Sequence, residues 1–151
     1  KKNYGGKQMT LNGNIVEGAM LALSNEEKFN DLIFVMAYEH DIKPTPVTNP
    51  IVALSTKGGV IGPKLTKTLD TGEVVSTKNR EIETTISIDI YLPYSMGGNN
   101  GHKIFDRIAT YLMYETAYSI TKATCYETEY DKSCQAIVLK SNFVFSNIAS
   151  S

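Results

Sequence analysis

Residues 82–92 read Ile82-Glu83-Thr84-Thr85-Ile86-Ser87-Ile88-Asp89-Ile90-Tyr91-Leu92, and the fold is decided there. Ile82, Thr84, Ile86, Ile88, Ile90 and Leu92 share one parity, while Glu83, Thr85, Ser87, Asp89 and Tyr91 share the other. Successive side chains of a strand point to opposite faces. The alternation therefore predicts a long half-buried strand with β-branched residues along its inner face. Pro93 lacks a ladder donor, and Gly97-Gly98-Asn99-Asn100-Gly101 breaks regular structure. Beyond the break the period becomes 3.6. Ile104, Phe105, Ile108, Tyr111 and Leu112 fall on one helical face, largely opposite Lys103, Asp106, Arg107 and Thr110. Strand, turn and amphipathic helix predict one packing unit at the centre of the core.

Around that unit the chain has 151 residues, 1–151, enough for a single domain with a real core. Hydrophobic residues make up 42% and charged residues 21%, an ordinary globular composition and not a disordered one. Fifteen basic residues against 16 acidic ones give a net charge of −1. Phosphate binding draws on a clustered basic excess, so no nucleic-acid recognition is expected. No apolar run approaches the roughly 20 residues of a membrane span, and no signal-peptide core opens the chain. A cytoplasm is the expected place of synthesis. Two cysteines, Cys125 and Cys134, are too few for a secreted disulfide framework, and their spacing is not that of a CxxC pair. They flank a predicted hairpin turn, where they could face each other; free thiols are the expectation. The only imidazoles are His40 and His102.

The polar, glycine-containing stretch Lys1–Met9 predicts a loose arm. A first helix follows, capped by Thr10 or Asn12, with Ile15, Val16, Ala19, Met20 and Leu23 at helical spacing. Ser24-Asn25-Glu26-Glu27 has the capping-box pattern and predicts a short second turn closed by Phe29. The apolar run Leu32–Tyr38 predicts a strand covered on both faces. Pro44, Pro46 and Pro50 predict an extended connector, and Ile51–Ser55 a short strand. Beyond the central helix, Ser119–Glu129 predicts a strand, Tyr130-Asp131-Lys132 a turn, and Ala136–Phe145 a last strand. Ile137, Leu139, Phe143 and Phe145 share a face of that strand, interrupted by Ser141, with Tyr118, Tyr126 and Tyr130 clustered beside it. The predicted class is α+β: a mixed or antiparallel sheet with two main helices, in the order α-β-β-(arm)-β-α-β-β.

Residues 57–80 stand apart. Gly58, Gly59, Gly62, Pro63 and Gly72 punctuate a Thr- and Lys-rich stretch whose apolar residues follow no period. This predicts a projecting loop or β-arm. Long segments with little core of their own inside a compact domain tend to be functional or disordered. One that pairs with or wraps on a neighbour recovers the ordering entropy it loses. Lys57, Val60, Ile61, Lys64, Leu65, Lys67, Leu69, Lys78 and Arg80 are the expected protein-contact residues. The basic members are interleaved with Asp70, Glu73, Glu81 and Glu83, which favours a solvated or protein-facing loop over a nucleic-acid surface.

Signatures of chemistry are sparse. GxSxG, P-loop, GxGxxG and HExxH patterns are missing from the chain. Gly97–Gly101 precedes a helix and could cradle an anion, although a flexible strand-to-helix turn explains the same glycines. His102 and Asp106, an i,i+4 pair, with Asp89 on the preceding strand form the one trio that could hold a metal or act as acid and base. Against it, an Asp in an early helical turn is favoured by the helix dipole alone. No enzyme, cofactor or metal is expected.

The segment Thr85-Ile-Ser-Ile-Asp-Ile-Tyr-Leu-Pro-Tyr-Ser-Met-Gly-Gly, followed by His102-Lys-Ile-Phe-Asp-Arg-Ile, resembles small tail-completion proteins of phages and phage-tail-like bacteriocins. The element order is similar to the tail-terminator fold. Over roughly Leu11 to Ile148 the chain resembles the collar, or tail-terminator, subunit of contractile R-type bacteriocins of Clostridium-like Gram-positive bacteria. The resemblance implies a hexameric ring that stops growth of tube and sheath at the end away from the baseplate. The implied partners are copies of itself and tail tube and sheath subunits. It further implies assembly into a virion tail or a released tail-like particle, with no cofactor and no catalysis. The competing readings are another tail or neck component, a connector or tube-type subunit, and a small ligand-binding domain or enzyme using the Gly97–His102 turn.

Overall fold

The structure, a computed structural model, describes residues 12–37 and 44–149. Its elements are α1 (Asn12–Ser24), β1 (Ile33–Met36), β2 (Ile51–Thr68), β3 (Val74–Pro93), α2 (Gly98–Tyr114), β4 (Ser119–Cys125), β5 (Glu129–Asp131), β6 (Ala136–Leu139) and β7 (Ser141–Ala149). Short 3-10 turns lie at Glu27–Phe29 and Tyr94–Met96. Two helices and a mixed seven-stranded sheet among the described residues make the fold α+β. The predicted Lys1–Met9 arm, the Thr10 cap and His40 lie outside the described residues.

β3 is the axis of the sheet. β2 pairs with it along nearly its whole length, from Ile51 opposite Tyr91 to Thr68 opposite Val74. On its other side β6 and β7 follow one another in a single register, Leu139 opposite Ile90 and Asn142 opposite Ser87, so 136–149 behaves as one strand interrupted at Lys140. β5 and β4 border β6 and β7 on their outer side. β1 runs parallel to β2, with Ile33 opposite Ile51, and is the only parallel pairing among the described strands.

The alternation read along 82–92 is realised: Ile82, Thr84, Ile86, Ile88, Ile90 and Leu92 are all fully buried. Both helices cover this face. Ile15, Ala19 and Leu23 of α1 and Ile104, Phe105, Ile108 and Leu112 of α2 join Ile86, Ile88, Ile90 and Leu92 in one apolar cluster. Phe105 meets Phe143 with ring centroids 5.5 Å apart. Ser141, the polar interruption in the last strand, is buried, and its hydroxyl donates to the Ile88 carbonyl at 2.6 Å, so it carries no unmet polar group into the core. Gly101 lets α2 approach the sheet, because a Cβ there would lie 3.3 Å from Leu92 Cδ1 and 3.4 Å from Leu139 Cβ. The opposite face is mostly polar. The exception lies under the proline-rich connector, where Val47, Ile51, Ala53, Tyr91, Cys134, Ala136 and Val138 form a second, smaller cluster.

Several local expectations are corrected. β2 is no short strand ending at Ser55, since its ladder to β3 continues to Thr68. β1 is a four-residue edge strand, not a strand covered on both faces, and Ile33 and Met36 are exposed. The turn after Ser24 forms, but Glu26 makes no side-chain cap and the Ser24 hydroxyl donates to Leu21 O instead, so the capping box is not made. The last hairpin turns later, at 132–135, with Tyr130 and Asp131 still in β5. The tyrosines do not cluster: Tyr118 packs on Phe145, Tyr130 on Tyr94, and Tyr126 meets Asn142. Both cysteines are free. Cys134 sits buried in the turn, whereas Cys125 pairs with Ser141 in the β4–β7 ladder, so they do not face each other.

Candidate assembly surface

β7 accompanies β3 only as far as Arg80, opposite Ala149. Beyond that point β2 and β3 continue as a two-stranded hairpin that no other strand among the described residues accompanies. Arg80 lies opposite Lys64, and the five residue steps from Lys64 to Leu69, at about 3.3 Å each, give a free arm about 17 Å long. At the tip Leu69 N donates to Glu73 O and Gly72 N to Leu69 O, both at 2.8 Å. Gly72 takes φ +87°, a conformation that favours glycine. A bulge in β3 interrupts the ladder midway: the Thr77 hydroxyl donates to Leu65 O at 2.8 Å and accepts from Asn79 N at 3.1 Å. Below it the Arg80 guanidinium donates to Gly62 O at 2.9 Å. The arm is thus an ordered β-ribbon with its own polar fastenings, the strand form of the two that the sequence allowed.

The predicted contact residues distribute along this ribbon. Lys57 sits at a bulge at its root, where the register slips between Thr56 and Gly58. Val60 and Ile61 follow on opposite faces, 62% and 54% exposed. Lys64, Lys67 and Lys78 are exposed, Arg80 is half-buried, and Leu69 lies at the tip. Leu65 is half-buried on the face that also carries Lys67 and Val75. Reading the sequence alone overlooked Val74, which is 61% exposed where β3 leaves the tip. The signal was available: Thr68 and Val74 bracket Leu69-Asp70-Thr71-Gly72-Glu73, a turn sequence between β-formers. Lys57, Lys64, Lys67, Pro63 and the three register shifts also blunt the ribbon's open edge against indiscriminate strand pairing. Side-chain docking remains available.

The alternative site at Gly97–His102 is taken apart. Asp89 belongs to the outer parity of β3 and lies in a shallow depression with Glu129, Asp131, Lys132 and Lys140, on the face of the sheet away from the helices. His102 is on the helix side, its Nδ1 3.7 Å from Cys125 Sγ, and Asp106 points toward the 3-10 turn near Lys28 and Arg107. The sheet therefore separates the trio. No group of three or more His, Cys, Asp or Glu side chains among the described residues is placed to hold a metal. The glycines have structural work: Gly97 takes φ +78°, and a Cβ on Gly98 would lie 2.9 Å from Thr128 Oγ1.

The charged cavity of about 320 Å³ beside α2 is a brace. Arg107 donates to Asp31 at 3.2 Å and to Lys28 O at 2.6 Å, and its guanidinium lies 5.3 Å from the Phe29 ring centroid. Lys28 pairs with Glu115 at 2.5 Å. The Arg107 hydrogen bond holds the Asp31 carboxyl below its ordinary range, and the Glu115 hydrogen bond raises the Lys28 amine. These pairs fasten the link from α1 to β1 onto α2. A second cavity, of about 460 Å³, lies between the start of α1, the loop after α2 and β7. No helix among the described residues is long and apolar enough to cross a membrane. No protein-family model matches the chain, and no curated protein matches it in sequence.

Proposed function

We propose that the chain is a structural subunit of a ring, hexameric by the resemblance, that terminates and caps the tube and sheath of a contractile phage tail or tail-like bacteriocin. The observation that carries this reading is the ribbon of β2 and β3, which extends about 17 Å beyond the last β7 pairing, exposing Leu69 and Val74 near its tip and Val60 and Ile61 where it leaves the sheet. Isolated apolar side chains on a surface need no explanation; four along one ribbon, two of them at its free tip, are better suited to a partner than to solvent. The separation of Asp89 from His102 and Asp106 by the sheet favours the structural reading over the ligand-binding one. The test is the mass of the purified chain in solution, alone and mixed with tube and sheath subunits. A closed oligomer alone or on tube ends is expected. A monomer under both conditions that binds a small molecule at the Gly97–His102 turn would overturn the proposal.

A further inference from the structure

His102, separated by the sheet from Asp89, has a different partner. Ala123 and Cys125 share the parity of β4 that packs against the main apolar cluster, so the Cys125 side chain lies on the helix side of the sheet. There its Sγ is 3.7 Å from Nδ1 of His102, the fifth residue of α2. Both residues are half-buried, so neither is sealed from solvent. The backbone holds the pair in place. Cys125 sits opposite Ser141 in the ladder, and the next amide, Tyr126 N, donates to Lys140 O at 2.9 Å. Beyond it Thr128 rests on the first turn of α2, where a Cβ on Gly98 would lie 2.9 Å from its Oγ1.

A thiol beside an imidazole is the pairing that makes cysteine a nucleophile, because the ring takes the proton as the sulfur attacks. In the tautomer protonated at Nε2, His102 presents Nδ1 to the thiol as an acceptor. We infer that Cys125 and His102 form a thiol-exchange site whose substrate is a low-molecular-weight disulfide. Cys125 Sγ attacks one sulfur of the disulfide, and its proton passes to His102 Nδ1. A new S–S bond joins Cys125 to that half, the original S–S bond breaks, and the leaving sulfur takes the proton back from the imidazolium. One thiol and one disulfide give one mixed disulfide and one small thiol, with no other oxidant consumed. A disulfide suits the pair because its leaving group asks for a single proton, which His102 has just received. The chain's other cysteine, Cys134, is fully buried in the second apolar cluster on the opposite face of the sheet, so it cannot displace the new bond. The mixed disulfide therefore persists until an external thiol removes it. Cys125 is a reversible modification site at the junction of β4 and α2, and it stands independently of the ring reading.

The test follows exchange of the full chain with hydroxyethyl disulfide, read at each cysteine by peptide mass spectrometry after acid quenching. Cys125 in the native chain is expected to exchange at least about tenfold faster than Cys125 in the urea-unfolded chain, although folding half-buries it. Burial alone predicts the reverse. A native rate equal to or below the unfolded rate overturns the site, and this comparison needs no variant. His102→Gln keeps a polar side chain but removes the base. Its native rate is expected to fall at least about tenfold, while its unfolded rate matches that of wild type. An unchanged native rate in His102→Gln that melts as wild type does overturns the part given to His102. If the variant fails to fold, the wild-type comparison decides alone. None of these outcomes touches the ring reading, which mass in solution decides.

Discussion

Replacing Ile88 with alanine tests whether β3 is the centre of the core. Ile88 is fully buried, lies opposite Leu54 in the ladder, accepts the Ser141 hydrogen bond through its backbone, and faces both helices. The substitution removes three carbon atoms. At about 0.8 kcal/mol each, the transfer contribution is about 2.4 kcal/mol, and the remaining cavity raises the total into a range of about 2–5 kcal/mol. A loss of about 3 kcal/mol over a urea slope of about 2 kcal/mol/M lowers the unfolding midpoint by about 1.5 M. Val60→Ala is the matched control. At 62% exposure it should change stability by less than about 0.5 kcal/mol. Urea unfolding followed by circular dichroism measures both. An Ile88→Ala midpoint within about 0.3 M of wild type, given the same slope, would refute the placement of β3 at the core.

Three further outcomes are expected. Protein unfolded without reductant should titrate as two thiols, and in the native state half-buried Cys125 should react with a small alkylating reagent well before buried Cys134; a count of zero contradicts the free cysteines. Asp31 is held below its ordinary range by Arg107, so its contribution is present near neutrality and is lost as pH falls below about 4 through the folded value. Because both side chains are largely exposed, Arg107→Ala should cost under about 1 kcal/mol from the pair at pH 7 and flatten the acid limb of the stability profile. Burial pushes the Tyr118 phenol up. The unfolded chain therefore releases that proton first, and stability should decline as pH rises past about 10, less steeply in Tyr118→Phe.

The core was legible because both helices cover a single face of the sheet, which imposes strict alternation on 82–92 and a 3.6 period on 104–112. The ribbon was harder to read. With solvent on both faces and three register shifts, 57–80 leaves no hydrophobic period, so only its composition marked it as unusual. Leu32–Tyr38 was misjudged because an apolar run does not distinguish a buried strand from a short edge strand, and β1 turned out to be the edge. The failure of the His102–Asp106–Asp89 trio was readable in advance. Asp89 shares the parity of Glu83 and Ser87, and that parity faces away from the helices.

The central claim is that the arm drives assembly. Val60 and Ile61 still sit beside strands of the main sheet, opposite Glu83 and Ile82, so the clean perturbation removes only the free ribbon. Pro63–Lys78 is replaced by a short Gly-Ser linker, and electron microscopy of the resulting particles measures tail length. The account predicts a chain that still unfolds cooperatively, with particles showing irregular tail lengths or unstable sheaths. Tails of uniform length with intact sheaths from the trimmed chain would contradict it.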